Sequence, residues 1–343
     1  MATKLLLTVD TELTWRHSRR GSGHWRENLA LSYDPAGVGV PYQLDMLRRH
    51  GLKACFFVDP MPAMVYGLEP VRRMVEPILA AGQEVQLHLH SFWYDVARGN
   101  GDNARFELTQ FDPNEQQALI AAAHDLLIQA GAPAPIAFRS GSYAADDRTL
   151  AALARLGLRY DSSHNGAEHP WPSALPLDPT LVDPVEQHGI VEIPVSQIRR
   201  PDGGLRPFQL CALSTREMRA ALRHAARHDH PVVTIVSHSF ELATRDGQRV
   251  NALLRRRFER LCAFLDRHRE TMPTCTFADV APLTSEPRSQ PLPAGRVRTA
   301  HRLAEQAWGN LRYERPAAAA ALAAAASVGP AAALAYLVAN GGL

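Results

Sequence analysis

The sequence predicts an α/β fold in which a parallel sheet closes into a distorted (β/α) barrel of about seven units. Helical patterns repeatedly end at a glycine and are followed by a short β-rich run, as in RRHGLKACFFVD and LAAGQEVQLHLH. Strand and helix patterns alternate from residue 4 to residue 277, which is typical of parallel sheets. No GxGxxG or GxxxxGK[ST] motif follows the first strand, and this counts against an open nucleotide-binding sheet.

The individual elements follow from periodicity and from the helix-stop glycines. Strands are predicted at residues 4–10, 53–58, 84–90, 135–139, 158–161, 190–195, 232–238 and 273–277. Helices are predicted at about residues 37–50, 70–81, 113–130, 146–156, 214–228 and 250–270.

The composition of the chain indicates which kinds of partner and which cellular compartment to expect. The 343-residue chain has a formal net charge of +2, so its overall charge gives no reason to expect nucleic acid or an anionic surface as its partner. Its four cysteines are scattered without CxxC spacing, which matches neither a disulfide framework nor a cysteine zinc site. MATKLLLTVD passes directly into a strand pattern without a signal peptide, and we expect a cytoplasmic protein.

The C-terminal part differs from the rest in composition. We expect a catalytic barrel at 1–280, a proline-rich linker at 281–297 and a helical, alanine-rich tail at 298–343, in which 298–315 form a short charged helix. Residues 316–343 carry no charged side chain but are weakly hydrophobic and are interrupted by Gly329 and Pro330. This pattern favours weak membrane association over insertion.

Chemically active side chains follow five of the predicted strands, where a parallel barrel opens into its ligand-binding loops. The segments are TVDTE, LHLH, AFRS, YDSS and IVSHS. Each residue alone has a structural explanation, but that explanation would have to hold separately at all five ends. We therefore expect one site formed by Asp10, Glu12, His88, His90, Arg139, Asp161 and His238.

His88 and His90 lie two residues apart on the third predicted strand. Their side chains point the same way, so both imidazoles can reach one ion, with an acid of the first strand as the third ligand. Two histidines and a carboxylate with open positions form a catalytic arrangement for zinc or a similar divalent metal. The alternative is that one histidine binds the metal while the other packs beside it or orients it.

Four of the five tryptophans follow predicted strands on the side of the expected site. Indole rings offer flat faces that pack on sugars, so they indicate a sugar-like substrate; the alternative is that they close loops over the core. These residues are Trp15, Trp25, Trp93 and Trp171.

The segments LLLTVDTE, KACFFV, GQEVQLHLH, AFRSGSY, RYDSS and IVSHS together resemble the motifs of the polysaccharide deacetylase family, carbohydrate esterases with a chitooligosaccharide-deacetylase homology domain. The resemblance spans residues 3–280 and implies a seven-unit barrel. It also implies metal-dependent removal of N- or O-acetyl groups from glycans, by a hydrolase acting on carbon–nitrogen bonds other than peptide bonds. DTE with LHLHSFW is most similar to a branch associated with lipopolysaccharide and other envelope glycan synthesis.

The resemblance also implies roles for individual residues. Asp10 corresponds to the base and Arg139 to the arginine that braces it. His238 corresponds to the acid, and we expect Asp161 to orient it.

A divalent metal, with zinc as the first candidate, is expected on Glu12, His88 and His90. The family usually has an aspartate directly after the base and its second histidine four residues after the first. Here Thr11 and Phe92 stand at those positions, and Glu12 and His90 are expected to replace them.

The sugar is expected to contact the loops that follow the first, third and fourth strands. A backbone N–H in the third motif is implied as the oxyanion donor, where Ser140 and Gly141 replace common prolines. The expected substrate-binding residues are Trp15, Trp93, Ser142 and Tyr143.

Three other functions remain open from sequence. A metal-free or differently metallated barrel would open cyclic amides, as one class of allantoinases does. A decayed site would leave a non-catalytic glycan-binding protein. An amidohydrolase-type barrel is disfavoured because its HxH follows the first strand, whereas here it lies on the third.

Overall fold

The computed structural model describes residues 2–18, 25–280 and 287–314. Its strands are β1 (Lys4–Thr11), β2 (Cys55–Val58), β3 (Glu84–Leu89), β4 (Ala137–Ser140), β5 (Tyr160–Asp161), β6 (Val185–Gln187), β7 (Ile190–Glu192), β8 (Gln197–Arg199), β9 (Leu205–Pro207), β10 (Val232–His238) and β11 (Thr274–Cys275). Its helices are α1 (Trp15–Ser18), α2 (Trp25–Ser32), α3 (Val40–His50), α4 (Ala63–Tyr66), α5 (Glu69–Ala80), α6 (Phe92–Ala97), α7 (Pro113–Gln129), α8 (Asp147–Arg155), α9 (Thr215–Arg227), α10 (Ala252–Arg267) and α11 (Arg296–Gly309).

The strands that carry the site are neighbours in one parallel sheet. Its order is β10, β1, β2, β3, β4, β5, β7, with β6 antiparallel on the β7 edge, and β11 pairs with the start of β1. Between β7 and β10, Ser196 N–H donates to the Thr234 carbonyl at 3.2 Å and Ser196 Oγ accepts from Thr234 N–H at 3.0 Å. The sheet therefore curls into a distorted barrel that loop contacts close, which confirms the predicted fold class.

The helices begin and end at local sequence signals. Asp112 precedes Pro113 at the start of α7 and accepts from the N–H groups of Asn114 and Glu115, while the Glu115 carboxylate accepts from Asp112 N–H at 3.0 Å. This is a capping box with proline at the first helical position. At the end of α3, Gly51 adopts a left-handed φ of 59° and its N–H donates to the Arg48 carbonyl. The glycine helix-stop signal is thus confirmed at this position.

Alternate residues of each strand face opposite layers of the core. One layer packs between the sheet and the helices. The other fills the barrel interior, and its buried apolar residues include Leu6, Phe57, Ala137, Tyr160 and Phe277. Because side chains alternate along β1 and β4, Asp10 and Arg139 share the interior face with Leu6 and Ala137. The catalytic candidates therefore lie inside the barrel, next to this layer of buried apolar side chains.

All eight predicted strands are present, and so are the six predicted helices, with end shifts of at most three residues. The predicted charged helix at 298–315 corresponds to α11 at Arg296–Gly309. Sequence periodicity did not reveal the short strands β6, β8 and β9 or the short helices α1, α2, α4 and α6. Elements of three to eight residues contain too few repeats for a period to be recognised.

The described part of the predicted linker is bonded to the barrel. Leu292 forms a parallel β-bridge with Ile198. The Asp183 carboxylate accepts from the N–H groups of Arg288 and Ser289 at 2.8 and 2.7 Å. Residues 281–286 and the alanine-rich stretch 315–343 lie outside the described residues. Within the described ranges, no helix combines the length and apolarity that crossing a bilayer requires.

Candidate active site

Asp10 and Arg139 form a buried ion pair at the centre of the barrel. Arg139 Nη1 donates to Asp10 Oδ1 at 2.7 Å and to Thr8 Oγ1 at 2.8 Å. The other side of the guanidinium donates to Ser162 Oγ at 3.0 Å and to the Ser162 carbonyl at 3.1 Å. Arg139 is 0% exposed and Asp10 is 3% exposed, so three further hydrogen bonds hold the buried arginine against the carboxylate. This geometry matches the predicted bracing arrangement.

Glu12, His88 and His90 form a second cluster at the C-terminal ends of β1 and β3. One possible ligand atom from each lies within 4.8 Å of the others. His88 Nε2 is 3.5 Å from Glu12 Oε2, and His90 Nε2 contacts the same carboxylate oxygen. The structure thus brings together the three residues predicted as metal ligands.

The second nitrogen of His88 is fixed by the backbone. Nδ1 lies 2.7 Å from the carbonyl of Arg139, and it must carry the hydrogen because a carbonyl only accepts. In neutral His88, Nε2 therefore presents its lone pair toward Glu12. Histidine ligands of metals are commonly oriented in this way, so the donor set fits a divalent ion.

Glu12 and the two histidines of this cluster influence each other's protonation. Burial would raise the pKa of Glu12, but His90 and His88 hold it well below its usual range. Burial opposes protonation of His90, but the Glu12 carboxylate raises the pKa of His90 to about 9. Glu12 thus favours a cation at His90, a charge that a bound metal can supply once the ring loses its proton.

Asp59 lies beside the Glu12, His88 and His90 cluster and is not among the site residues predicted from the sequence. It directly follows β2, and its N–H donates to the Thr11 carbonyl at 2.9 Å. Burial raises the pKa of Asp59 to about 6, while the nearby His90 and His88 act against that rise. Its Oδ2 atom is buried without a hydrogen-bond partner among the described residues. The run KACFFVD contains a signal for Asp59, because this aspartate directly follows the predicted strand at 53–58.

His238 lies beside Asp10 in the adjacent strand. Register pairs the two residues across β1 and β10, and His238 Nε2 is 3.9 Å from Asp10 Oδ2. The carboxylate on the other side of the ring is Glu241, whose Oε1 is 4.0 Å from Nδ1. Gln209 Nε2 lies 3.4 Å from the same nitrogen. Glu241 and Gln209 are therefore the residues positioned to orient this imidazole.

The expectation that Asp161 orients His238 is wrong. Asp161 pairs in register with Phe138, which packs in the outer core layer, so its side chain points away from the barrel interior. Ser163 Oγ donates to Asp161 Oδ1 at 2.7 Å. Burial raises the pKa of both Asp161 and Glu192, and each carboxyl group also contacts the other. The inward-facing residue of this strand end is Ser162, which holds Arg139.

The carboxyl pair makes stability depend on pH. A folded-state pKa above the unfolded value means that the native pair binds its proton more tightly. Stability is then lost as pH rises above the unfolded carboxyl pKa of about 4.3. We expect Glu192→Gln to remove this loss, because the amide donates permanently to Asp161. In urea titrations from pH 5 to pH 9, the advantage of the variant should grow by at least about 1 kcal/mol.

Glu186→Gln is the matched control, since Glu186 is exposed on the neighbouring strand β6. It should follow the wild-type pH profile. Parallel pH profiles for Glu192→Gln and wild type would show that no proton is shared by the pair.

The two tryptophans predicted to contact the substrate differ in their exposure. Trp93 is 0% exposed and packs against Phe92 and Tyr66, so its prediction as a substrate-binding residue is wrong. The segment after β3 turns immediately into α6, which directs this ring into the core. Trp15 is half-buried and contacts Phe106 at a centroid distance of 6.3 Å. Phe106 is 43% exposed and is the better aromatic candidate for a sugar face.

Ser142 and Tyr143 lie in the turn that follows β4. Both adopt left-handed φ values, 54° and 60°, a costly conformation for residues with a side chain that is often retained at functional sites. Burial and the Asp10 charge raise the pKa of Tyr143 well above its usual range. Its hydroxyl is buried without a hydrogen-bond partner among the described residues. Tyr143 can therefore donate to a ligand that enters beside Asp10.

Gly141 provides the space for His90. A Cβ at this position would lie 2.5 Å from His90 Nδ1 and 2.9 Å from Cγ. The chain thus has His90 two residues after His88 and a glycine where the His90 ring packs. The glycine at position 141 thus leaves room for the histidine that stands at position 90 instead of position 92.

Gly141→Ala is expected to displace the His90 ring and to weaken zinc binding by at least about tenfold, comparable to the loss of a residue that orients a ligand. Isothermal titration with zinc measures this effect. Gly101→Ala is the control, because its Cβ would meet only Trp15 and Val96 at 3.4 and 3.7 Å. Equal zinc affinity in Gly141→Ala and wild type would show that His90 does not contribute to the site.

An α/β barrel with ionisable groups at the C-terminal ends of its parallel strands is a common frame for enzyme active sites. Residues 26–160 match the model of the polysaccharide deacetylase family. This stretch of the chain is therefore similar to that family, which confirms the resemblance seen in the motifs. The matched segment contains His88, His90 and Arg139, whereas Asp10 and His238 lie outside it.

A peptidoglycan deacetylase-like protein of Gibberella zeae is 25% identical over 182 residues, 51% of this chain and 48% of the relative. The match thus spans about half the length of that curated relative. Among solved structures, a protein of Mycobacterium smegmatis assigned to the polysaccharide deacetylases has a TM-score of 0.48 at 18% identity, covering 84% of this chain and 95% of the other. A family 4 carbohydrate esterase of Streptomyces lividans has a TM-score of 0.41 at 12% identity, with coverages of 83% and 98%.

Proposed function

We propose that this protein is a hydrolase that removes acetyl groups from an acetylated sugar or glycan. The observation that carries the proposal is the arrangement of two groups inside one barrel. The braced Asp10 carboxylate lies beside His238, and the Glu12, His88 and His90 cluster opens at the same strand ends. Base, acid and ligand groups thus lie at the same strand ends, where they would act together on an acetyl group.

Glu12, His88 and His90 would hold a divalent metal, with zinc as the first candidate for two histidines and one carboxylate. Such an ion, when bound, supplies polarisation of the acyl oxygen and lowers the pKa of water. The fixed Nδ1–H of His88 and the negative charge of Glu12 support this assignment.

Asp10 accepts the proton of the water that attacks the acetyl carbon. Arg139 supplies the counter-charge of this carboxylate and orients it through the contact at 2.7 Å. General-base assistance of this kind contributes about 10²–10⁴-fold to rate.

His238 donates a proton to the leaving nitrogen as its bond to carbon breaks, and acetate and a free amine are the products. Glu241, 4.0 Å from Nδ1, stabilises the charged imidazole before transfer. Tyr143 Oη and a backbone N–H of the turn at Ser142 donate to the developing oxyanion.

The aromatic entrance supports a sugar as substrate. Exposed Phe106 packs against Trp15 and Phe92, and Glu107 beside it carries a carboxylate close to Ser142. A flat ring next to hydrogen-bonding groups suits the apolar face and hydroxyls of a sugar. We further propose an N-acetylated substrate of envelope glycan synthesis, including lipopolysaccharide, which rests on the motif resemblance.

A reducing, cytoplasmic compartment is part of the same proposal. Cys55, Cys211, Cys262 and Cys275 are all free thiols, and three of them are buried. Weak membrane association through the alanine-rich tail remains a proposal as well.

The function is tested by measuring acetate release after reconstitution with zinc. We expect acetate from an N-acetylated glucosamine oligosaccharide and little from its de-N-acetylated counterpart. An O-acetylated sugar and a cyclic ureide complete the panel. Ring opening of the ureide without acetate release would support the cyclic-amide hydrolase instead. No turnover of any member, together with retained sugar binding, would support the non-catalytic glycan-binding protein.

A further inference from the structure

Helix α11 packs onto the barrel through its polar face. Arg302 is 7% exposed, and its Nε is 3.8 Å from the buried carboxylate of Glu217 on α9. Glu305 accepts from Arg257 Nη2 on α10 at 2.7 Å. At Gly309, an added Cβ would meet Leu253 of α10 at 3.1 Å. The inward side of this helix is therefore formed by charged groups and one glycine.

The outward side of α11 is apolar. Val297, Leu303 and Trp308 are 75%, 53% and 62% exposed. With 3.6 residues per turn, the exposed apolar residues form one continuous stripe about 140° wide. In the described part of the chain nothing covers this stripe, which consists of Val297, Ala300, Leu303, Ala304, Ala307 and Trp308, with Arg296 at its N-terminal end.

Positive charge borders the stripe. Trp308 and Tyr313 line a cavity together with Arg256 and Arg260 of α10. Both arginines are exposed, and neither forms an ion pair within the described residues. Arg260, Arg267 and Arg223 also crowd Arg219, and burial together with their repulsion lowers the pKa of Arg219. This side of the molecule thus combines exposed apolar rings with uncompensated cations, although the chain as a whole carries only +2.

We propose that the α11 stripe and the arginines of α10 dock on the surface of an anionic lipid membrane. An apolar helix face bordered by arginines is the pattern of helices that lie in the plane of the lipid interface. A second copy of this chain fits less well, because a two-fold contact opposes the same patch to itself and would bring like charges together. Docking through α11 is independent of the proposed hydrolysis.

Vesicle flotation of the full chain tests this proposal. The vesicles are made of phosphatidylcholine alone or of equal parts phosphatidylcholine and phosphatidylglycerol. We expect binding to the anionic vesicles, and we expect Leu303→Ser/Trp308→Ser to lower the partition coefficient at least about tenfold. Trp171→Ser is the matched control, since Trp171 is 57% exposed elsewhere on the chain.

A second variant isolates the charge contribution. Arg256→Gln/Arg260→Gln should weaken binding to anionic vesicles by about fivefold per arginine, while Arg72→Gln/Arg155→Gln, two exposed arginines on α5 and α8, should not. Thermal unfolding confirms that each variant is folded.

Three outcomes overturn the proposal. Wild type could fail to float, or it could float equally in the α11 variants, which would assign binding to the tail that all variants retain. Alternatively, sedimentation could show a dimer that Trp308→Ser dissociates, without vesicle binding, which would assign the stripe to self-association.

Discussion

Asp10→Asn is expected to lower the rate of acetate release by about 10²–10⁴-fold while the barrel remains folded. The amide oxygen still accepts the hydrogen bond that Arg139 Nη1 donates to Oδ1 at 2.7 Å. It cannot take a proton from the attacking water. Because Asp10 is not one of the three clustered ligand residues, zinc stoichiometry should stay unchanged. Steady-state kinetics and elemental analysis of the same preparation measure both effects.

The variant also removes a buried negative charge, so its stability must be compared with a suitable control. Glu217→Gln removes a carboxylate that is 1% exposed and lies 3.7 Å from Arg206, remote from the barrel interior. It should lower the unfolding temperature without lowering turnover. Turnover of Asp10→Asn at the wild-type rate would eliminate Asp10 as the base.

Arg139→Met is expected to reduce the free energy of unfolding by about 3–5 kcal/mol, the usual cost of leaving one partner of a buried ion pair uncompensated. Asp10 would lose its counter-charge and remain buried, and burial without a counter-charge disfavours the charged form of a carboxyl group. The acid limb of the pH–rate profile should therefore move to higher pH, because the base is protonated over a wider range. Urea denaturation and the pH dependence of kcat/KM measure the two effects.

Arg257→Met controls for the loss of a buried arginine. Arg257 is 3% exposed and pairs with Glu305 at 2.7 Å, so a comparable loss of stability is expected. Its pH–rate profile should match wild type. An acid limb that stays in place in Arg139→Met would show that the arginine acts on folding alone.

The barrel was predictable because its signals are local and repeated. Glycine at the helix ends and short β-rich runs placed all eight predicted strands. Parallel strands bring their C-terminal ends to one rim, so the sequence alone predicts that Asp10, His88, Arg139 and His238 lie together. The side-by-side placement of His88 and His90 follows from the two-residue period of a strand.

The remaining details depend on register and on loop direction, which sequence patterns do not define. Side chains alternate along a strand, so a shift of one residue in RYDSS decides whether Asp161 or Ser162 faces the barrel interior. Strand β5 has only two residues, too few for a sequence pattern to show which of them points inward. Trp93 is buried because the chain after β3 becomes helical at once. Glu241 and Gln209 reach His238 from a loop and a distant segment, so no local spacing connects them.

The most direct test of a metal-assisted hydrolase is the zinc content of the purified chain after reconstitution and gel filtration. Glu12, His88 and His90, with ligand atoms within 4.8 Å of one another, predict about one ion per chain by elemental analysis. They also predict its loss in His88→Ala, where the oriented Nε2 is removed. A chain that retains no divalent ion after reconstitution would contradict metal-assisted hydrolysis and would favour a metal-free hydrolase.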